Sequence, residues 1–160
     1  MKKIYFIVLL SIYTSVTFAQ YPLAKSRAQL NAGVGFSGWG LPLFIGFDYG
    51  VHKDVSIGGE VSFRNYSYSS AYSANIIGIF VNGNYHFNSV LNIPKPWDFY
   101  GGANLGFFLW TGNFGTAGSS GLGLGIQVGG RYYFNDKFGI NLEFGGGNYY
   151  GGKVGITYKF

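Results

Sequence analysis

Few side chains in this sequence could perform acid–base or metal chemistry. The chain has two histidines, His52 and His86, and no cysteine. A catalytic triad needs a base held between a nucleophile and an acid, and a zinc site needs several histidine or cysteine ligands. The stretches GLGLG and GGANLG lack the Lys-Ser/Thr pair that follows a phosphate loop. We therefore predict no catalytic site, no metal site and no cofactor.

Five charged residues form the candidate site instead. Glu60 and Arg64 lie four residues apart, on the same face of a predicted strand. Arg131, Glu143 and Lys153 come to similar heights if the last three strands fold as hairpins. Buried charges must be paired and hydrogen-bonded, so an enclosed cluster of these residues would satisfy a polar interior. We interpret the cluster as a structural plug that blocks flow, and a gate or proton path is the alternative.

Eight stretches of the chain alternate apolar with small or polar residues, which is the period of a β-strand. In the final stretch, Val154, Ile156, Tyr158 and Phe160 share one face. The eight stretches are 29–36, 43–49, 55–64, 77–87, 99–109, 122–134, 139–145 and 153–160. Turn residues bound each stretch, so the pattern predicts an all-β protein.

The composition is unusual for a soluble domain. Charged residues make up 11% of the chain and aromatic residues 21%, whereas charged residues make up about 25% of ordinary soluble domains. After the first 20 residues, no apolar run approaches the roughly 18 residues of a membrane helix. No run of Lys or Arg exists either, so we expect no nucleic-acid partner.

The N-terminus has the organisation of a secretory signal peptide. Lys2 and Lys3 precede a short apolar run, and small residues at Thr17 and Ala19 mark a cleavage site before Gln20. We predict a signal peptide over residues 1–19 and one barrel domain over residues 20–160; a membrane anchor or a buried N-terminal helix is the alternative. Without Lys2 and Lys3 the formal charge falls from +5 to +3.

Two architectures accommodate eight alternating strands. A soluble lipocalin-like barrel has its apolar face inside, and a transmembrane barrel has it outside. The polar face here is mostly Gly, Asn and Ser, which suits a narrow lumen better than a water-exposed surface. We therefore predict an eight-stranded antiparallel up-and-down transmembrane β-barrel. Glycines on the inward face would leave room for the inward aromatic residues Phe44, Phe80, Tyr100, Phe108 and Tyr133.

The connections between strands differ in charge. Those after the odd-numbered strands are uncharged, and those after the even-numbered strands contain the charged residues Lys53, Asp54, Lys95, Asp136 and Lys137. We expect the uncharged connections, notably 65–75 and 111–121, to be binding loops, because Tyr, Asn and Ser are adaptable contact residues. Aromatic residues near strand ends predict a girdle at the lipid–water boundary. They are Trp39, Tyr49, Tyr85, Phe87, Trp97, Trp110, Phe134 and Phe138.

The leader, the eight strands and the ending VGITYKF together resemble the small eight-stranded outer-membrane β-barrel family of Gram-negative bacteria. That family includes OmpX, the OmpA membrane domain and the porin-like outer-membrane β-barrel domain proteins. The resemblance covers residues 27–160 and implies contact with outer-membrane lipid. The ending, with Ile156, Tyr158 and Phe160 at alternate positions, resembles the C-terminal signal read by the barrel-assembly machinery. Uncharged connections would then face outside, with charged turns in the periplasm.

The resemblance implies a non-enzymatic, monomeric barrel with a structural or surface-interaction role, such as envelope integrity, adhesion or loop-mediated binding. A narrow channel for small solutes is the main alternative. Some members of the family modify lipid A with His, Ser and an acid, but we expect His52 in a periplasmic turn and His86 inside the barrel near its periplasmic end. Neither position meets the outer leaflet, so a lipid-modifying enzyme is a lesser alternative, as is a soluble lipid carrier.

Overall fold

The computed structural model describes residues 23–38, 40–69, 72–113, 118–147 and 151–160. The predicted signal peptide and Trp39 lie outside the described residues. The described chain forms one short helix, α1 (Asn88–Leu91), and eight strands. The strands are β1 (Ala28–Phe36), β2 (Leu43–His52), β3 (Val55–Ser69), β4 (Tyr72–His86), β5 (Trp97–Asn113), β6 (Gly121–Tyr133), β7 (Phe138–Gly147) and β8 (Gly152–Lys159). No helix in the described ranges is long and apolar enough to cross a membrane.

The strands close into a barrel. Each strand pairs antiparallel with the next in sequence, and β8 pairs antiparallel with β1, with Ile156 opposite Ala32. This arrangement confirms the predicted eight-stranded up-and-down barrel. Closure stabilises the sheet because no strand edge is left unpaired.

Side chains alternate between the two sides of the barrel wall as the period-two pattern predicts. Along β7, Phe138, Ile140, Leu142 and Phe144 point outward and are exposed. The inward aromatic residues predicted from sequence are all buried, and glycines face them; a Cβ atom on Gly129 would lie 2.4 Å from the ring of Tyr100. The result is a polar lumen inside an apolar outer surface, the arrangement of transmembrane barrels.

The two ends of the barrel differ. The turn end has the connections 53–54, 87–96 and 134–137, and the loop end has the other four connections. At the loop end, β3, β4 and β5 are longer than the other strands, with 15, 15 and 17 residues. The prediction of a loop over 65–75 is therefore wrong, since Asn65 pairs with Asn75 within the β3–β4 ladder.

The start of the predicted loop 111–121 is likewise strand, because β5 continues to Asn113. Both loop predictions rest on the polar composition of these segments, and both are wrong for the same physical reason. A strand that leaves the bilayer keeps its backbone ladder while its outward side chains change from apolar to polar, so polarity marks the membrane surface and not the strand end.

Most of the predicted girdle lies outside the barrel. Tyr49, Tyr85, Trp97, Phe134 and Phe138 are exposed, and Phe87 is half-buried with its ring 5.5 Å from that of Tyr85. The prediction for Trp110 is wrong, because its side chain is buried within the barrel. Trp110 lies an even number of residues from the inward Tyr100 and Phe108 on the same strand, so its side chain points inward too. Its position near a strand end does not change that direction.

Candidate functional site in the barrel lumen

A central charge group crosses the middle of the lumen. The ammonium of Lys153 on β8 lies 2.5 Å from Oε2 of Glu60 on β3 and 2.9 Å from Oε1 of Glu143 on β7. The hydroxyl of Tyr100 donates to Oε2 of Glu143 over 2.7 Å. All four residues are buried, so each carboxylate has the partner that a buried charge requires.

A second group, the turn-end charge group, is centred on Arg131. Its guanidinium donates to Oδ2 of Asp48 over 2.8 Å and to Oδ2 of Asp98 over 3.1 Å. The same guanidinium lies 4.2 Å from the centre of the Tyr100 ring, which links the two groups. Asn31 donates to Oδ2 of Asp48 over 2.9 Å. The arginine is thus held between two carboxylates contributed by β2 and β5.

Ser56, His86 and Asp98 form a row in the turn-end half of the lumen. Oγ of Ser56 lies 2.9 Å from Nε2 of His86, and Nδ1 of His86 lies 2.7 Å from Oδ1 of Asp98. No local pattern in the sequence pairs His86 with a carboxylate, so this row is not among the predicted sites. The order is that of a nucleophile–base–acid triad, but the three residues are 0%, 1% and 0% exposed. The three side chains thus form a buried hydrogen-bond chain whose hydroxyl has no exposed surface in this structure.

The five residues of the predicted cluster do not form one group, because the structure places them at three different positions in the lumen. Glu60, Glu143 and Lys153 come together, whereas Arg131 belongs to the turn-end group. Arg64 lies nearer the loop end, where its Nη1 donates to Oγ of Ser37 over 2.7 Å. Its guanidinium also lies 5.8 Å from the centre of the Phe108 ring.

Sequence reasoning missed the two aspartates that hold Arg131. Asp98 has the parity of the inward Tyr100, and Asp48 has that of the inward Phe44, so a signal for both was present. The parity of the two aspartates does not identify Arg131 as their partner, because Asp48 and Arg131 are 83 residues apart in sequence.

The lumen charges balance. Its buried charged residues include four basic and four acidic side chains, while a ninth buried charge, Asp54, lies in the turn between β2 and β3. The eight residues are Arg64, Arg131, Lys153 and Lys159, with Asp48, Glu60, Asp98 and Glu143. Across the described residues, no three His, Asp or Glu side chains are placed to hold a metal ion.

Described side chains also occupy the loop-end half of the lumen. At the loop end the buried side chains pack as an apolar cluster of Ala74, Ile76, Phe80, Phe108 and Trp110. The Phe80 and Phe108 rings meet edge to face with centres 4.8 Å apart. Between the two charge groups lies a cavity of only about 10 Å³. A cavity of that size has room for about one water molecule.

The closed barrel, its apolar outer surface and its charge-balanced lumen define an integral transmembrane β-barrel. Its structural neighbours are small outer-membrane barrels. The N-terminal barrel domain of Pseudomonas aeruginosa OprF matches with a TM-score of 0.58 at 18% identity, over 85% of this chain and 98% of that one. Outer membrane protein OprG from the same species matches with a TM-score of 0.64 at 11% identity, over 88% and 99%.

Neisserial surface protein A is a third structural neighbour, with a TM-score of 0.57 at 17% identity over 84% of this chain and 95% of that one. At these identities the similarity concerns the fold. Comparisons with protein-family models and with curated protein sequences gave no match. The chain is thus an integral outer-membrane β-barrel by fold and by surface.

Proposed function

We propose that this protein is a sealed, non-enzymatic outer-membrane barrel with a structural or surface-interaction role. The observation that supports this most directly is the set of buried side chains that crosses the described part of the lumen. A solute would have to pass the apolar cluster at the loop end, then Lys153 between its two glutamates, then Arg131 between its two aspartates. With about 10 Å³ of space between the charge groups, passage would require these buried ion pairs to separate.

Planar-bilayer recording tests the seal. We expect purified protein that has folded, as judged by its heat-modifiable mobility on a gel, to give no conductance steps. A general porin inserted in the same bilayers controls for detection. Reproducible single-channel steps from the folded protein would overturn the proposal and favour the narrow channel.

The exposed surface best suited to an interaction is the extension of β3, β4 and β5 at the loop end. The outward residues Phe63, Ile77 and Leu109 stand in register across the three strands. They are followed in register by Asn65, Asn75 and Thr111. The amide of Asn65 donates to Oδ1 of Asn75 over 3.0 Å. We infer that this apolar-to-polar step marks the outer membrane surface.

Beyond that step the ladder presents polar groups to the outside, in keeping with a binding role. Replacing Asn65, Asn75 and Thr111 with alanine tests this binding role when the variant is expressed in cells that lack the wild-type protein. An envelope-integrity role predicts that the variant restores resistance to detergent as well as wild type does. A surface-interaction role predicts restored resistance with reduced adhesion.

A lipid-modifying activity is the competing function, and the Ser56–His86–Asp98 row makes it testable. Because all three side chains are buried, we expect no labelling of the folded protein by an alkyl fluorophosphonate. We also expect the mass spectrum of lipid A to be the same with and without the protein. Labelling that disappears in Ser56→Ala would establish a reactive serine and overturn the non-enzymatic proposal.

A further inference from the structure

An apolar groove of about 900 Å³ lies on the outer surface of the barrel, near the turn end. Its outward-facing lining includes Phe99 on β5, Val128 and Tyr132 on β6, and Leu142 and Phe144 on β7. The volume is at the upper end of the roughly 300–1,000 Å³ of small-molecule pockets. The groove is therefore large enough to be a specific site on the outer surface.

The groove forms because glycines stand opposite large side chains on the neighbouring strands. Gly130 stands opposite Phe99 on one side and Leu142 on the other, so the centre of the patch has no side chain. Phe99 occupies part of the gap, since a Cβ on Gly130 would lie 3.0 Å from its ring. One outward-facing residue pair nearer the loop end, Gly101 also lacks a side chain and stands opposite Val128.

Aromatic rings form the turn-end wall of the groove. The Trp97 ring lies 4.8 Å from the Tyr132 ring, edge to face, and stacks on Phe99 at 5.6 Å. Trp and Tyr are typical of the headgroup level of a bilayer. From Tyr132 to Val128 the groove therefore extends roughly 13 Å from that level toward the bilayer centre.

Two exposed cations flank this wall. Lys95 precedes β5 by two residues, and Lys137 lies in the turn between β6 and β7. Asp136 lies in the same turn, so the local net charge is +1. Basic residues at the membrane surface attract anionic lipid headgroups.

We propose that the groove between β5 and β7 binds one anionic phospholipid of the periplasmic leaflet. An acyl chain would lie along Phe99, Val128 and Leu142, and the headgroup would meet Lys95 and Lys137. The combination of an apolar channel, an aromatic wall at headgroup level and two cations above that wall matches the parts of such a lipid in order. This site goes beyond the proposed function and does not depend on a sealed lumen.

Native mass spectrometry of the full chain tests the site. The protein is released from vesicles of phosphatidylethanolamine and phosphatidylglycerol after heat-modifiability has confirmed folding. We expect one phosphatidylglycerol to remain bound per barrel, enriched over its share in the vesicle. Leu142→Trp fills the groove and should reduce the retained lipid about tenfold, as expected when about two methylene groups lose their contact.

Matched variants separate the groove from general lipid contact. Ile57→Trp adds the same bulk to an exposed aliphatic position on β3, outside the groove, and should leave retention unchanged. Lys95→Gln with Lys137→Gln should reduce the enrichment for phosphatidylglycerol to the vesicle ratio, whereas Lys53→Gln on the opposite side should not. Val128→Trp is a second filling variant if Leu142→Trp fails to fold.

Three outcomes would overturn the proposal. The first is the absence of retained lipid in wild type. The second is equal loss of lipid in Leu142→Trp and Ile57→Trp. The third is a dimer in the mass spectrum that disappears in Leu142→Trp, which would make the groove an interface between two copies of the chain.

Discussion

The ammonium of Lys153 lies 2.5 Å from the carboxylate of Glu60, although 93 residues separate them in the sequence. Their strands, β8 and β3, are not neighbours in the sheet, so the bond spans the lumen and joins two parts of the wall that no backbone ladder connects. Because Glu143 pairs with the same ammonium, one cation holds two buried carboxylates.

Lys153→Met should destabilise the barrel strongly, because it leaves Glu60 and Glu143 buried without their cation. Breaking a buried ion pair costs about 3–5 kcal/mol. Urea unfolding in phospholipid vesicles measures this loss in the free energy of unfolding. Lys53→Met is the matched control in an exposed turn, where the side chain is 70% exposed, and should change it by less than about 0.5 kcal/mol.

Removing the whole central charge group should cost less than removing its cation alone. The triple variant Glu60→Gln, Glu143→Gln and Lys153→Met has no unpaired charge, and loss of a complete buried set is often nearly neutral. Equal stability of Lys153→Met and Lys53→Met would contradict the assignment of Lys153 as the central cation.

The two histidines should differ in their effect on stability. His86→Leu removes a buried partner of both Ser56 and Asp98, so the free energy of unfolding should fall by about 1–3 kcal/mol. His52→Leu alters a side chain that is 60% exposed at the turn end and should have little effect. The same urea titration compares them, and a larger loss in His52→Leu would argue against a structural role for the row.

Two glycines provide a test of lumen packing. A methyl group on Gly129 would meet the Tyr100 ring, whereas a Cβ on Gly83 would have nothing within 4 Å. Gly129→Ala should therefore destabilise by about 1–3 kcal/mol through overpacking, and Gly83→Ala should be close to neutral. If both variants unfold at the wild-type urea concentration, the lumen is looser than the structure indicates.

Phe160→Ala should impair assembly into the outer membrane and leave secretion intact. Its backbone N–H donates to the carbonyl of Ala28 over 3.0 Å, and Arg27 donates to its carbonyl over 3.1 Å. These backbone contacts would survive in the variant, so a defect would report on the aromatic ring as part of the proposed assembly signal. Membrane fractionation and heat-modifiability measure the outcome.

Phe134→Ala is the control for that experiment, because Phe134 is another exposed aromatic residue at the turn end. Normal outer-membrane levels of Phe160→Ala would count against the signal. A defect of the same size in Phe134→Ala would point to general loss of the aromatic belt.

The direction of most side chains was predictable because it is a local property. Successive residues of a strand point to opposite faces, so the sequence alone places Ile156 and Tyr158 outside and Lys153 inside. The same parity would have placed Trp110 inside. Proximity to a strand end does not set side-chain direction, so the prediction for Trp110 that rests on it is wrong.

The sequence by itself determined the period of the strands, their number, the inversion of polarity and hence the class of barrel. Only the tertiary structure decided which inward charges meet, because that depends on the stagger of the strands around the closed barrel. Stagger brings Lys153 to Glu60 and Arg131 to Asp48 and Asp98, and it aligns Gly130 between Phe99 and Leu142 to form the groove. These relationships join distant parts of the chain, and no local pattern encodes them.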